Sequence, residues 1–259
     1  MPRLSSLEGF LWAVNTGFTL LLAIRLWASG LSVIYRAFYF FLLFSILRSA
    51  VPAIFPLTRT QYGNFFAFTE MASLIFYFLM TLEIYTRVFE KFPGIESFSR
   101  WALSGCLALS MALAMVSLYP DIVSKANPTP LDFLRIVERG VLSGLAFLIL
   151  LMSLFLSWYP VVLARNIVVH SLLFAIYFTM KAGVFLLQNM ANRIMVMRSV
   201  NLAVFLLGCA CLLSWIVFLR PRGEKTEVKV GYRWDQEEEE RLIGQLRRIN
   251  STLSGQRRD

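Results

Sequence analysis

The chain has 259 residues, 58% of them hydrophobic and 15% aromatic, with 25 Lys and Arg against 16 Asp and Glu for a formal net charge of +9. A soluble globule of that size and composition would leave far too much apolar surface in water, which argues against an ordinary soluble bundle. The basic residues are scattered over helices and a tail rather than gathered in one patch, so they suit anionic lipid headgroups better than nucleic acid.

The apolar residues fall into seven stretches, 9–27, 33–55, 64–88, 101–119, 132–157, 164–188 and 196–219, separated by short polar joins. About 20 residues rising about 1.5 Å each cross a hydrocarbon core of about 30 Å with every backbone amide bonded inside the helix. The sequence therefore predicts an all-α, polytopic membrane protein. Residues 1–219 form a seven-transmembrane-helix bundle, and residues 220–259 form a cytoplasmic tail with a linker and a short amphipathic helix. The first stretch follows Arg3 and Glu8 and shows no small-residue cleavage signature, so it reads as a retained anchor.

In chain order, span 1 carries Asn15, span 2 carries Arg48, and span 3 carries Glu70, Ser73 and Tyr77 on one face, then Glu83 and Arg87. Between spans 3 and 4, Pro93 and Gly94 break the helix, while Phe89, Phe92, Ile95 and Phe98 suit the headgroup region. Pro120, Pro128 and Pro130 make the next join a stiff irregular loop. Span 5 carries Glu138 and Arg139, span 6 Asn166, His170 and Lys181, and span 7 Asn201. Cys106, Cys209 and Cys211 all lie within spans. Cys209 and Cys211 point to opposite sides of a helix, which makes neither a chelate nor a redox pair.

Orientation follows the Lys and Arg near the span ends. The last span runs into Arg220, Arg222, Lys225 and Lys229, and Arg87, Lys91 and Arg100 share that side, whereas Arg59, Lys125 and Arg193 fall on the other. The excess places the C-terminus in the cytoplasm and the N-terminus outside, in a multi-pass protein of the cell membrane. In the tail, Asp235 and Glu237 to Glu240 precede Leu242, Leu246, Ile249 and Leu253, with Arg247 and Arg248 in the later half. Acid before base suits the helix dipole, and the spacing gives one apolar stripe. That stripe either lies on the membrane or the protein's own bundle, or binds a cytoplasmic partner or a second copy.

Ionisable side chains inside spans are costly and mark functional or registry-fixing positions. Arg48, Glu70, Glu138 and Lys181 all fall about 10 Å below the outer boundary at a rise of about 1.5 Å per residue. Asn15, Tyr77 and Asn201 lie near that level, with Arg139 closer to the surface. Two readings follow. The layer is a set of internal ion pairs, such as Glu70 with Lys181 or Glu138 with Arg48, or it lines an outward-facing cavity for a small anionic or zwitterionic ligand. A smaller inner group would bring Glu83 and Arg87 against Asn166 and His170, with His170 hydrogen-bonded to a neighbour.

Several chemistries fail the residue test. Span 7 has no lysine for a retinal Schiff base, and a single histidine excludes bis-histidine haem ligation and histidine-rich metal sites. Gly140, Ser143 and Gly144 miss the rhomboid Gly-x-Ser-Gly spacing by one residue, so no catalytic residue, cofactor or metal is expected. The topology resembles, in layout only, seven-helix receptors and the seven-helix sensor regions of bacterial signalling proteins. That layout implies a small-ligand-sensing or scaffolding module with a partner-binding tail. A secondary transporter of a small anionic or zwitterionic solute is the alternative, weakened by the lack of an internal repeat. An intramembrane enzyme ranks third.

Overall fold

The computed structural model describes residues 6–55, 58–90, 130–190, 194–232 and 235–255, with scattered positions between 101 and 112. The expected span 101–119 and the joins on either side of it lie almost wholly outside the described residues. The elements are α1 (Ser6–Ala28), α2 (Leu31–Ile34), α3 (Arg36–Ile54), α4 (Arg59–Val88), α5 (Pro130–Trp158), β1 (Val161–Ala164), α6 (Arg165–Met190), α7 (Ile194–Phe218), α8 (Pro221–Lys225), β2 (Glu227–Val230) and α9 (Gln236–Gly255). Among the described residues, four helical stretches, Gly9–Ala28, Arg36–Ile54, Thr60–Val88 and Gly140–Trp158, are long and apolar enough to cross a membrane.

Local chemistry sets the helix limits. Gly30, at φ 72°, takes the left-handed conformation that separates α1 from α2. Thr58 begins α4 with a capping box, in which its hydroxyl accepts from the Gln61 amide while the Gln61 side chain reaches back to the Thr58 N–H. Pro221 opens α8 at a position where its missing N–H costs nothing.

The long helices close into a ring. α1 packs on α3, α3 on α4, α4 on α5, α5 on α6, α6 on α7 and α7 back on α1, and α6 also touches α4. Inside are Leu22, Phe38, Met80, Leu142, Ile149, Phe174 and Phe178, all shut off from solvent. Outside, Trp27, Phe40, Phe68, Ile75, Leu154 and Leu172 are each more than half exposed. Only 11% of the Arg36–Ile54 stretch is buried. Helices this apolar and this exposed match a hydrocarbon solvent, in which outward Leu, Ile and Phe cost nothing.

The fold is not purely helical. β1 pairs antiparallel with β2, Val161 opposite Val230 and Ala164 opposite Glu227, and the pairing is extended by Arg165 N–H to Thr226 O and Tyr232 N–H to Ser157 O, both at 2.9 Å. Val161 and Leu163 turn inward. The chain after α7 therefore folds back onto the α5–α6 connection, where the sequence suggests a free polar linker. Gly223 of α8 lies directly against the Asn166 side chain, and a Cβ there would overlap it. Helix α9 lies against the same body. Leu246 is 3% exposed and joins the buried cluster, Leu253 packs on it and Leu242 is half-buried, while Ile249 remains 45% exposed. Leu246 and Leu253 of the stripe thus rest on the protein's own bundle.

Gly223→Ala should destabilise the docked tail by about 1–3 kcal/mol, as an overpacked contact does. The readouts are the thermal midpoint of the purified protein and the rate of tryptic cleavage after Lys225. An unchanged midpoint together with unchanged cleavage would mean that α8 does not rest on Asn166 in solution.

Candidate functional site

Toward the end of the bundle away from α8 and α9, three helices contribute to one charged cluster. α4 supplies Glu70, Ser73 and Tyr77, whose spacing of three and four residues puts them on one face. Arg48 of α3 forms an ion pair with Glu70 and donates to the Ser73 hydroxyl at 3.0 Å. Lys181 of α6 approaches the other Glu70 oxygen at 3.8 Å and donates to the Tyr77 hydroxyl at 3.0 Å. Its ammonium also stands 4.9 Å from the Tyr77 ring centre and 5.9 Å from that of Tyr177. The two tyrosine hydroxyls are 3.2 Å apart.

The Glu70 side chain is 6% exposed, Lys181 19% and Arg48 25%, so the carboxylate is the most enclosed member and both cations keep some access. Glu138 of α5 is buried beside Glu70. Among the described residues, Arg48 takes Glu70 and not Glu138 as its ion-pair partner, whereas the pairing of Glu70 with Lys181 is present. Each ring face adds a cation–π attraction worth about 0.5–2 kcal/mol, which holds Lys181 in place although its distance to Glu70 exceeds a hydrogen bond.

Of the remaining predicted positions, Asn15 is described and lies away from the cluster. The Asn15 amide oxygen faces α7, 3.8 Å from the Cys209 sulfur. The side chains of Arg139 and Asn201 are outside the described ones. Tyr177 was not singled out from the sequence, although it precedes Lys181 by four residues and so shares its helix face.

At the tail end, the expected group of Glu83, Arg87, Asn166 and His170 is split into three. Glu83 accepts from the Ala37 and Phe38 amides at 3.2 and 3.4 Å and so caps the first turn of α3, while Arg87 donates to Ile34 O at 3.0 Å. Both carboxylate oxygens are drawn to the unpaired N–H groups of a helix start rather than across to α6. Asn166 donates to Arg220 O at 2.8 Å and to Glu224 Oε1 at 2.7 Å, and accepts from the Arg220 amide at 3.4 Å. Tyr35 donates to the same Glu224 oxygen at 2.7 Å. His170 does not make the expected hydrogen bond: neither ring nitrogen has a partner among the described residues. It is held instead by Tyr35, Phe38 and Phe174, with ring centres 4.8, 4.8 and 4.7 Å away, and by Trp215 at 6.0 Å. No signal in the sequence marks Tyr35 or Glu224, because their meeting depends on the return of the tail.

No protein-family model, no characterised protein and no solved structure matches this chain.

Removing the shared carboxylate should be the costliest single change in the charged cluster. Glu70→Ala leaves the half-buried Arg48 and Lys181 without their shared counter-charge and is expected to cost about 3 kcal/mol, the lower end for a broken buried pair. Lys181→Met should cost much less, because Glu70 keeps Arg48. Thermal unfolding in one detergent compares them, and equal losses would mean that Glu70 is not the hub.

Proposed function

We propose that the chain is a seven-helix, multi-pass protein of the cell membrane, with its N-terminus outside and its C-terminus in the cytoplasm, that senses a small anionic or zwitterionic ligand and reports it through the tail. The observation that carries this reading is the reach of α6. Its outer half presents Lys181 to the Glu70 pair, and its inner end presents Asn166 to Arg220 and Glu224. The two residues are fifteen positions apart, which on a helix is about 22 Å.

The chemistry is a competition of anions. Glu70 holds Arg48 directly but Lys181 only at 3.8 Å, so an incoming carboxylate or phosphate gains most by taking the ammonium and the partly exposed guanidinium together. Such a ligand favours whichever position of α6 frees Lys181 from Glu70, and the shift is limited by the difference in its affinity for the two positions. At the other end of the helix that shift bears on the Asn166 contacts and on the strand pair. The apolar stripe of α9, with Ile249 still exposed, is the surface a released tail would offer to a cytoplasmic protein or a second copy.

Spin labels at Ser157 and Val228 test the reading in proteoliposomes. Lys181→Met, which removes the attraction to Glu70 as a ligand would, should broaden and lengthen the distance distribution between the labels. Distances identical to the parent would leave the charged cluster as a registry device only. Counterflow of small carboxylates that is abolished by Glu70→Gln would instead favour transport.

A further inference from the structure

The corner between α2, α3 and α4 encloses a laterally open cleft of about 660 Å³, within the range of about 300–1,000 Å³ for small-molecule sites. Its wall is apolar and runs onto Val33 and Leu79, which are 62% and 42% exposed on the outer surface of the ring. Its rim carries two guanidinium groups, Arg36 and Arg87, and two carboxylates, Glu83 and Glu90. All four stand where α3 begins and α4 ends, at the level where these apolar helices leave the hydrocarbon.

The four charges differ in what they have left to offer. Glu83 uses both oxygens on the α3 amides, and Arg87 is tied through one nitrogen to Ile34 O. Among the described residues Arg36 spends only Nε, on Val33 O at 3.1 Å, and both Arg36 and Glu90 are exposed. One cation and one anion therefore stand ready on either side of a greasy wall. We propose that the cleft binds a membrane phospholipid with a zwitterionic, primary-amine headgroup, of the phosphatidylethanolamine class. Arg36 takes the phosphate, Glu90 takes the ammonium, and the acyl chains run along Val33 and Leu79.

The chemistry selects this lipid over its neighbours. A guanidinium grips phosphate oxygens through several N–H donors. A primary ammonium can donate to Glu90, whereas the trimethylated amine of phosphatidylcholine cannot, and an anionic glycerol headgroup would meet the carboxylates with no charge to neutralise them. Only a lipid also fills the apolar wall, since inorganic phosphate satisfies Arg36 alone. The inference needs α3 and α4 in the membrane but not the sensing role, so the two stand or fall separately.

Native mass spectrometry of the full chain, delipidated and then exposed to equal amounts of phosphatidylethanolamine, phosphatidylcholine and phosphatidylglycerol, tests it. Phosphatidylethanolamine should be retained at least tenfold over either competitor, Glu90→Gln should abolish that preference, and Arg36→Gln should lower the retention of all three lipids. Folding of both variants is checked by an unchanged thermal midpoint without lipid. Equal retention of all three lipids, preference for phosphatidylglycerol, displacement by inorganic phosphate, a preference that survives Glu90→Gln, or retention unchanged by Arg36→Gln would overturn the proposal.

Discussion

In a hydrocarbon solvent no water is on hand to satisfy a stray donor or acceptor, and most of this structure answers that constraint. The backbone does so by forming helices. The hydroxyls do so by bonding back to the preceding turn. Thr16, Thr19, Thr69, Ser73, Thr81, Thr86, Ser153 and Ser214 each donate to a carbonyl four residues earlier, at 2.8 to 2.9 Å. Polar residues are thus tolerated in apolar helices without a partner on another helix. Glu70 has no such local remedy, because a carboxylate needs donors. Its solution is to draw Arg48 from α3 and Lys181 from α6, which fixes the register of three helices around one charge.

The tail end follows the same rule, with neutral donors gathered on a second carboxylate, Glu224. Asn166 spends both amide protons and its oxygen on the segment that leaves α7, and Tyr35 donates to the glutamate that Asn166 also holds. Buried hydrogen bonds to a charged group contribute about 1.5–3 kcal/mol each. With the strand pair and the inward Leu246, they make residues 220–255 part of the body rather than an appendage. Arg25 adds a tie at the same end, donating to Leu219 O at 3.3 Å.

Hydropathy made the apolar helices legible, because a helix facing lipid must be apolar over its whole length and that pattern is local. The face shared by Glu70, Ser73 and Tyr77 was legible for the same reason, as was the pairing of Glu70 with Lys181, since equal depth on two spans brings charges to one level. The Thr58 to Gln61 capping box was also readable as a Thr-x-x-Gln motif, and it sets the start of α4 earlier than hydropathy did. The strand pair was not legible. Val161 to Ala164 looks like the lead-in to the next helix, and its partner is a polar segment more than sixty residues later, so nothing local distinguishes it. His170 was misread for a related reason: a histidine implies a hydrogen bond until the four rings that surround it, from two other parts of the chain and its own helix, are known.

Those rings tie the Asn166 end of α6 to α3 and α7. His170 lies one turn beyond Asn166, and Tyr35 both touches the His170 ring at 4.8 Å and holds Glu224 through its hydroxyl. Phe38, Phe174 and Trp215 complete the box, with Phe38 and Phe174 each packed on Trp215 at 4.9 and 5.0 Å. Close-packed rings of this kind do not slide by small increments, because an interior without voids moves between discrete packings. Tyr35 cannot leave Glu224 without the box repacking around His170. Tyr35 and Asn166 donate to the same Glu224 oxygen, so the packing of the ring box and the seating of α8 rest on one shared set of contacts.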